Sequence, residues 1–222
     1  MAQFFPFPGK MRAPFIVFES PNRMNKQRLI RMIISELNDT DSGVHAHRFK
    51  VPGGCSSKGD RILQAYLACQ ISLSPEVAHH LFSAERWRAN FEIQNDLENG
   101  VMVFMERHVA SGHVFSKAYG DLTDEWCSQF DSGLIKPDLV IYLESDFEAD
   151  DIEKWDEPDR YETPEIQAKV QELFHEIIAA EPNWIAINVT GLGVKEVFDK
   201  AYPAIKALRE EFLRENKPIQ YY

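Results

Sequence analysis

Short apolar runs alternate along this chain with stretches in which apolar residues recur every three or four positions. The runs fall at 13–19, 44–49 (Val44-His45-Ala46-His47-Arg48-Phe49), 101–105 (Val101-Met102-Val103-Phe104-Met105), 139–143 (Leu139-Val140-Ile141-Tyr142-Leu143) and 184–189. Most are near-continuously apolar rather than alternating, which marks strands covered on both faces. Between them, Leu29, Ile30, Ile33, Ile34 and Leu37 form one helical stripe, and Val170, Leu173, Phe174, Ile177 and Ile178 form another. Strands separated by amphipathic helices predict an α/β three-layer sandwich: a central parallel sheet of about five strands with helices on both faces. Ligands on such sheets sit at the carboxyl ends of the strands, so the residues just after each strand are the candidates for chemistry.

Composition narrows the picture. With 222 residues, 44% of them hydrophobic, the chain can bury one full core, and 13–222 reads as a single domain behind an arm at 1–12. A formal net charge of −11 argues against a nucleic-acid or anionic-membrane surface. No apolar run reaches the roughly 18 residues of a membrane span. Cys55, Cys69 and Cys127 lack metal spacing and fit a reducing compartment, cytoplasmic or mitochondrial. The arm, with Phe4-Phe5-Pro6-Phe7-Pro8, does not have the form of a signal peptide; its aromatic cluster reads as a contact for a protein partner. Residues 144–162 are acid-rich and read as a solvated, lid-like segment between a strand and a helix. His45, His47, His79, His80, His108 and His113 show no third-ligand spacing, so no metal site is expected from them.

The chemistry gathers where the pattern places it. After the first strand, Ser20-Pro21-Asn22-Arg23-Met24-Asn25-Lys26-Gln27 leads into a helix, the layout of the phosphate-binding loop G-x-x-x-x-G-K-[ST]. Only Lys26 stands at its motif position: Ser20 and Asn25 replace the glycines, and Gln27 replaces the hydroxyl residue. A lysine there either contacts phosphate or is simply solvated. After the third strand comes Glu106-Arg107-His108-Val109-Ala110-Ser111-Gly112-His113-Val114-Phe115, an acid, an arginine and small residues suited to an anion. Phe82 and Arg86 stand four apart on one helix face. Arg86 and Arg107 suit a ligand, or pair structurally with Glu85, Glu106 or Glu162. Phe115 suits the core as well as it suits a pocket wall.

Taken together these segments resemble thymidylate kinase of the eukaryotic type, a P-loop nucleoside monophosphate kinase. The family's LFSANRWE helix is close to 81–88, its DRYxxSGxAF motif to 106–115, its KPDLVxxL strand to 136–143 and its ERYExxxFQ segment to 159–167. Asp124-Glu125-Trp126-Cys127 also fits the loop before KPDL, and the likeness runs in order over about 13–190. The resemblance implies that Phe82 stacks on the thymine base, and that Arg86 and Arg107 bind the monophosphate. It further implies that Ser111, Gly112 and Phe115 shape the base and sugar pocket, that Tyr161 and Gln167 close over the acceptor, and that Phe49 lies near sugar and phosphate. On the donor side it assigns catalysis to Lys26, Arg23 and Glu106. ATP and Mg2+ are the implied cofactors, a dTMP-like nucleotide the implied ligand, and a homodimer through helices on one side of the sheet the implied assembly.

The donor loop departs from the family. Pro21 removes an amide donor, Gln27 offers no hydroxyl to a metal, Asn22 replaces a carboxylate, and Glu106 is one methylene longer than the usual aspartate. Positioning carries most of this reaction. The expectation is therefore a pseudoenzyme with weak or absent phosphoryl transfer, serving as a binding or structural subunit of a larger assembly and needing neither Mg2+ nor ATP. The alternative is an active kinase converting dTMP and ATP to dTDP and ADP.

Overall fold

A computed structural model describes residues 11–21, 26–40, 44–54, 57–145 and 159–222. Arg23 and the rest of the loop at 22–25, residues 1–10 of the arm, Cys55 and acidic positions 146–158 lie outside these described residues. Five strands form one sheet: β1 (Phe15–Glu19), β2 (His45–Lys50), β3 (Val101–Glu106), β4 (Leu139–Glu144) and β5 (Trp184–Asn188). All neighbours are parallel, in the order β2-β3-β1-β4-β5. The helices are α1 (Lys26–Thr40), α2 (Lys58–Leu67), α3 (Pro75–Glu98), α4 (Val109–Gly120), α5 (Asp124–Asp131), α6 (Pro164–Ala180) and α7 (Val194–Arg214).

The period of two along a strand explains the layers. Ile16 and Phe18 of β1 face one side, where they pack with Leu29, Ile30 and Ile33 of α1 and Val197, Ala201 and Ile205 of α7. Phe15 and Val17 face the other side, against Ala89, Ile93 and Leu97 of α3. Val114 of α4, Tyr142 of β4 and Val170 and Phe174 of α6 form a third cluster. All five residues of β1 are buried, as its unbroken apolar run requires. Edge strand β2 instead exposes alternate residues, and its sequence, His45-Ala46-His47-Arg48-Phe49-Lys50, is the most polar of the five.

Helix starts follow local chemistry. Ser74 Oγ accepts from Val77 N–H with Pro75 in the first turn of α3, and Thr163 Oγ1 accepts from Ile166 N–H with Pro164 in the first turn of α6. Arg12 is buried, grips Asp138 through both terminal nitrogens (2.7 Å each), and donates to the carbonyls of Lys217 and Pro218 (2.8 Å each). The strand register sets Lys50 beside Glu106, and Glu106 beside Phe18, so the carboxyl ends of β2, β3 and β1 share one edge. That edge holds the site.

Candidate functional site

A cavity of about 500 Å³ opens at this edge. Lys26, Phe82, Arg86, Glu106, Arg107, Ser111, Gly112, Phe115, Tyr161 and Gln167 all line it, although they come from four separate stretches of the chain. Phe49 does not. It packs against the α3-side core, and Val51 and Pro52 take the cavity wall at the end of β2. Phe49 lies one residue short of the end of β2, where Lys50 reaches the cavity.

Arg107 is the centre of the cavity. It takes the left-handed conformation (φ 64°), uncommon for a residue with a side chain and costing on the order of 1–3 kcal/mol. Its backbone N–H is fixed to the Phe18 carbonyl (3.0 Å). The guanidinium donates to the Ser20 carbonyl (2.9 Å) and Ser111 Oγ (3.1 Å), and lies over the Phe115 ring at 4.9 Å. Burial pulls its pKa below the ordinary arginine value, against the nearby Glu19, Asp159, Glu162 and Glu106.

Arg86 is held differently. Its guanidinium donates through Nε (3.1 Å) and Nη2 (3.0 Å) to Asp131 Oδ1, and through Nη2 to Oδ2 (2.7 Å), while Ser83 Oγ donates to Oδ1 (2.7 Å) and His113 Nε2 stands 3.3 Å from Oδ2. Both ions are buried. Burial opposes the Asp131 charge, but His113, Arg86 and Ser83 outweigh it and hold the carboxyl well below the usual range. The structural partner of Arg86 is thus Asp131, not Glu85, Glu106 or Glu162. Gly112 makes room for it: a Cβ there would come within 2.6 Å of Arg86 Nη1.

The opposite wall is aromatic. Phe115 and Tyr161 meet at 5.2 Å, and Tyr161 also meets Tyr119 (5.3 Å) and Tyr66 (6.2 Å) edge-on. Gln167, fully buried, donates to the Tyr161 carbonyl (2.8 Å) while its Oε1 has no partner among the described residues. Arg160 ties this wall to α2 and the turn after it by donating to the carbonyls of Tyr66 (2.9 Å) and Ile71 (2.7 Å).

Below the cavity, Glu19 supports α4. Its Oε1 accepts from the N–H groups of His108 (2.9 Å) and Ser111 (3.3 Å), and its Oε2 from Ser111 Oγ. A carboxylate at a helix N-terminus satisfies amides that otherwise lack partners. His108 donates from Nε2 to the Ile135 carbonyl (3.0 Å), and burial lowers its pKa to about 4. Glu19, Lys50 and Asp131 escape a motif reading; an acid closing an apolar strand was the signal for Glu19, whereas Asp131 is 45 residues from Arg86 and carries none.

On the donor side, Lys26 begins α1 and is buried, and its Nζ donates to Ser20 Oγ at 2.6 Å. Burial first, then the Arg107 charge, drive its pKa well below the ordinary lysine range. Glu106 is committed to Arg48. Lys26 and Glu106 are thus both engaged within the protein, and Gln27 stands in the position where the motif has a hydroxyl residue. No group of three His, Cys, Asp or Glu that could hold a metal stands among the described residues.

A five-stranded parallel sheet in this order, with a strand-loop-helix carrying Lys26 beside a cationic and aromatic cavity, defines a P-loop nucleoside monophosphate kinase fold. Residues 26–201 match the thymidylate kinase family profile. The chain is 34% identical to the thymidylate kinase of Plasmodium falciparum over 183 residues (82% of this chain, 84% of that one), and 28% identical to that of Homo sapiens over 205 residues (91% and 92%). It also superposes on the thymidylate kinase of Candida albicans with a TM-score of 0.76 at 27% identity, covering 96% of this chain and 99% of the other. The chain belongs to the thymidylate kinase family.

Proposed function

We propose that this chain binds a thymidylate-class nucleoside monophosphate in the cavity, and that its phosphoryl transfer from ATP is strongly reduced. The observation that carries the reading is the cavity itself, where Arg107 and the Asp131-held Arg86 meet the aromatic residues Phe82, Phe115 and Tyr161. Arg107 suits the phosphate. Arg86, its charge already offset by Asp131, suits a neutral acceptor such as a base carbonyl, with Phe82 stacking on the ring. When bound, ATP and Mg2+ would supply the phosphoryl group and neutralise its charge. The engaged Lys26 and Glu106 support a poor fit for both. The same reading includes a role as a binding subunit, and the exposed Phe91 (79%) supports self-association across α3.

The second reading is an active kinase, favoured by Lys26 standing buried at the motif offset beside the cavity. Turnover of dTMP with MgATP, compared with Lys26→Ala, separates the two. The proposed reading expects nearly equal rates. A rate that Lys26→Ala lowers by on the order of 100-fold or more establishes the active kinase.

A further inference from the structure

Ser20 is gripped from two sides. Its hydroxyl accepts from Lys26 Nζ at 2.6 Å, and its carbonyl accepts from Arg107 Nη1 at 2.9 Å. Both Ser20 and Lys26 are buried, at 0% and 5% exposure, so water does not compete readily for the ammonium. A charged donor in a dry setting makes a short, strong hydrogen bond. The motif that this loop departs from carries a glycine at position 20, which has no hydroxyl to offer. We infer that Ser20 is a positioning residue that latches Lys26 to the end of β1 and so keeps it from the phosphates of a nucleoside triphosphate. The inference rests on the reduced donor side of the reading above and assigns a cause to part of it.

The Arg107 bond makes the latch stiff. Because it anchors the Ser20 backbone, Ser20 cannot follow the lysine outward; the Lys26–Ser20 bond itself must break before Lys26 reaches a bound anion. Burial and the Arg107 charge lower the pKa of Lys26, as expected of a side-chain nitrogen turned inward rather than into solvent. Conformational strain is not the reason for the serine. Apart from glycines, the described residues with positive φ are Cys69, Arg107 and Asp121, so position 20 does not require glycine and accepts alanine without strain.

The test is calorimetric titration of MgATP, and separately of dTMP, into wild type, Ser20→Ala and Ser20→Thr, with thermal midpoints recorded for each. Ser20→Ala removes the hydroxyl, and Ser20→Thr restores it. Loss of a charged hydrogen bond corresponds to at least about a tenfold change, so Ser20→Ala is expected to bind MgATP on the order of tenfold tighter than wild type. Ser20→Thr is expected to stay at the wild-type value, and dTMP affinity to stay within about twofold throughout. A role confined to folding would move the midpoint without this split between the two ligands. Equal or weaker MgATP binding in Ser20→Ala, including no binding by either protein, overturns the latch. So does a change in dTMP affinity that parallels the change in MgATP affinity. Absence of dTMP binding in all three proteins sinks the acceptor-site reading instead, and leaves the latch to be judged on the MgATP arm.

Discussion

At the scale of single residues, the cavity depends on side chains that are held rather than merely present. Arg107 is fixed through a strained backbone, and Arg86 by a buried carboxylate. Gly112 reports on the second arrangement. Glycine to alanine inside a helix ordinarily stabilises by about 1 kcal/mol, but here the added Cβ meets Arg86 Nη1 at 2.6 Å. Gly112→Ala should therefore cost about 1–2 kcal/mol net, because the overlap outweighs the propensity gain. It should also weaken dTMP binding on the order of tenfold, as Arg86 is pushed from its place. Chemical denaturation and a binding isotherm on the same sample check both; unchanged affinity would mean that Arg86 does not meet the ligand.

At the scale of elements, α3 and α4 each carry a buried neutral histidine. His79 on α3 donates from Nε2 to the Cys127 carbonyl (3.3 Å) and accepts at Nδ1 from Ser116 Oγ (2.8 Å); His108 is the residue immediately before α4. Burial lowers both to about 4 from the ordinary 6.5. Between those values the unfolded chain binds more protons than the folded one, so stability falls as pH drops from about 6.5 to about 4, on the order of 3 kcal/mol per histidine. His108→Gln, which keeps an amide donor for Ile135, should flatten roughly half of that slope in a pH series of thermal midpoints. A slope identical to wild type would show that His108 is not the group being charged.

At the scale of the whole molecule, the fold was legible because its strongest signals are periodic. Unbroken apolar strands such as β1 allow only a sheet covered on both faces, and the stripes on α1 and α6 supply the cover. Most of the pocket was legible as well, since Phe82, Arg86, Arg107 and Phe115 sit in recognisable local patterns. Contacts formed by tertiary packing were not. Asp131 reaches Arg86 across 45 positions, the Lys26–Ser20 bond joins residues on either side of the loop, and Phe49 packs into the α3-side core instead of lining the cavity. No helix among the described residues is long and apolar enough to cross a membrane.

The central claim is an acceptor site that works beside a donor site that does not, and one titration series addresses both halves. dTMP and MgATP are titrated separately into the wild-type chain and into Arg107→Ala. The account predicts saturable one-to-one binding of dTMP, weakened on the order of 100-fold in Arg107→Ala, and weak or unsaturable heats with MgATP. Tight saturable binding of MgATP together with dTMP would contradict the degraded donor site, and failure of dTMP to bind the wild-type chain would contradict the account at its root.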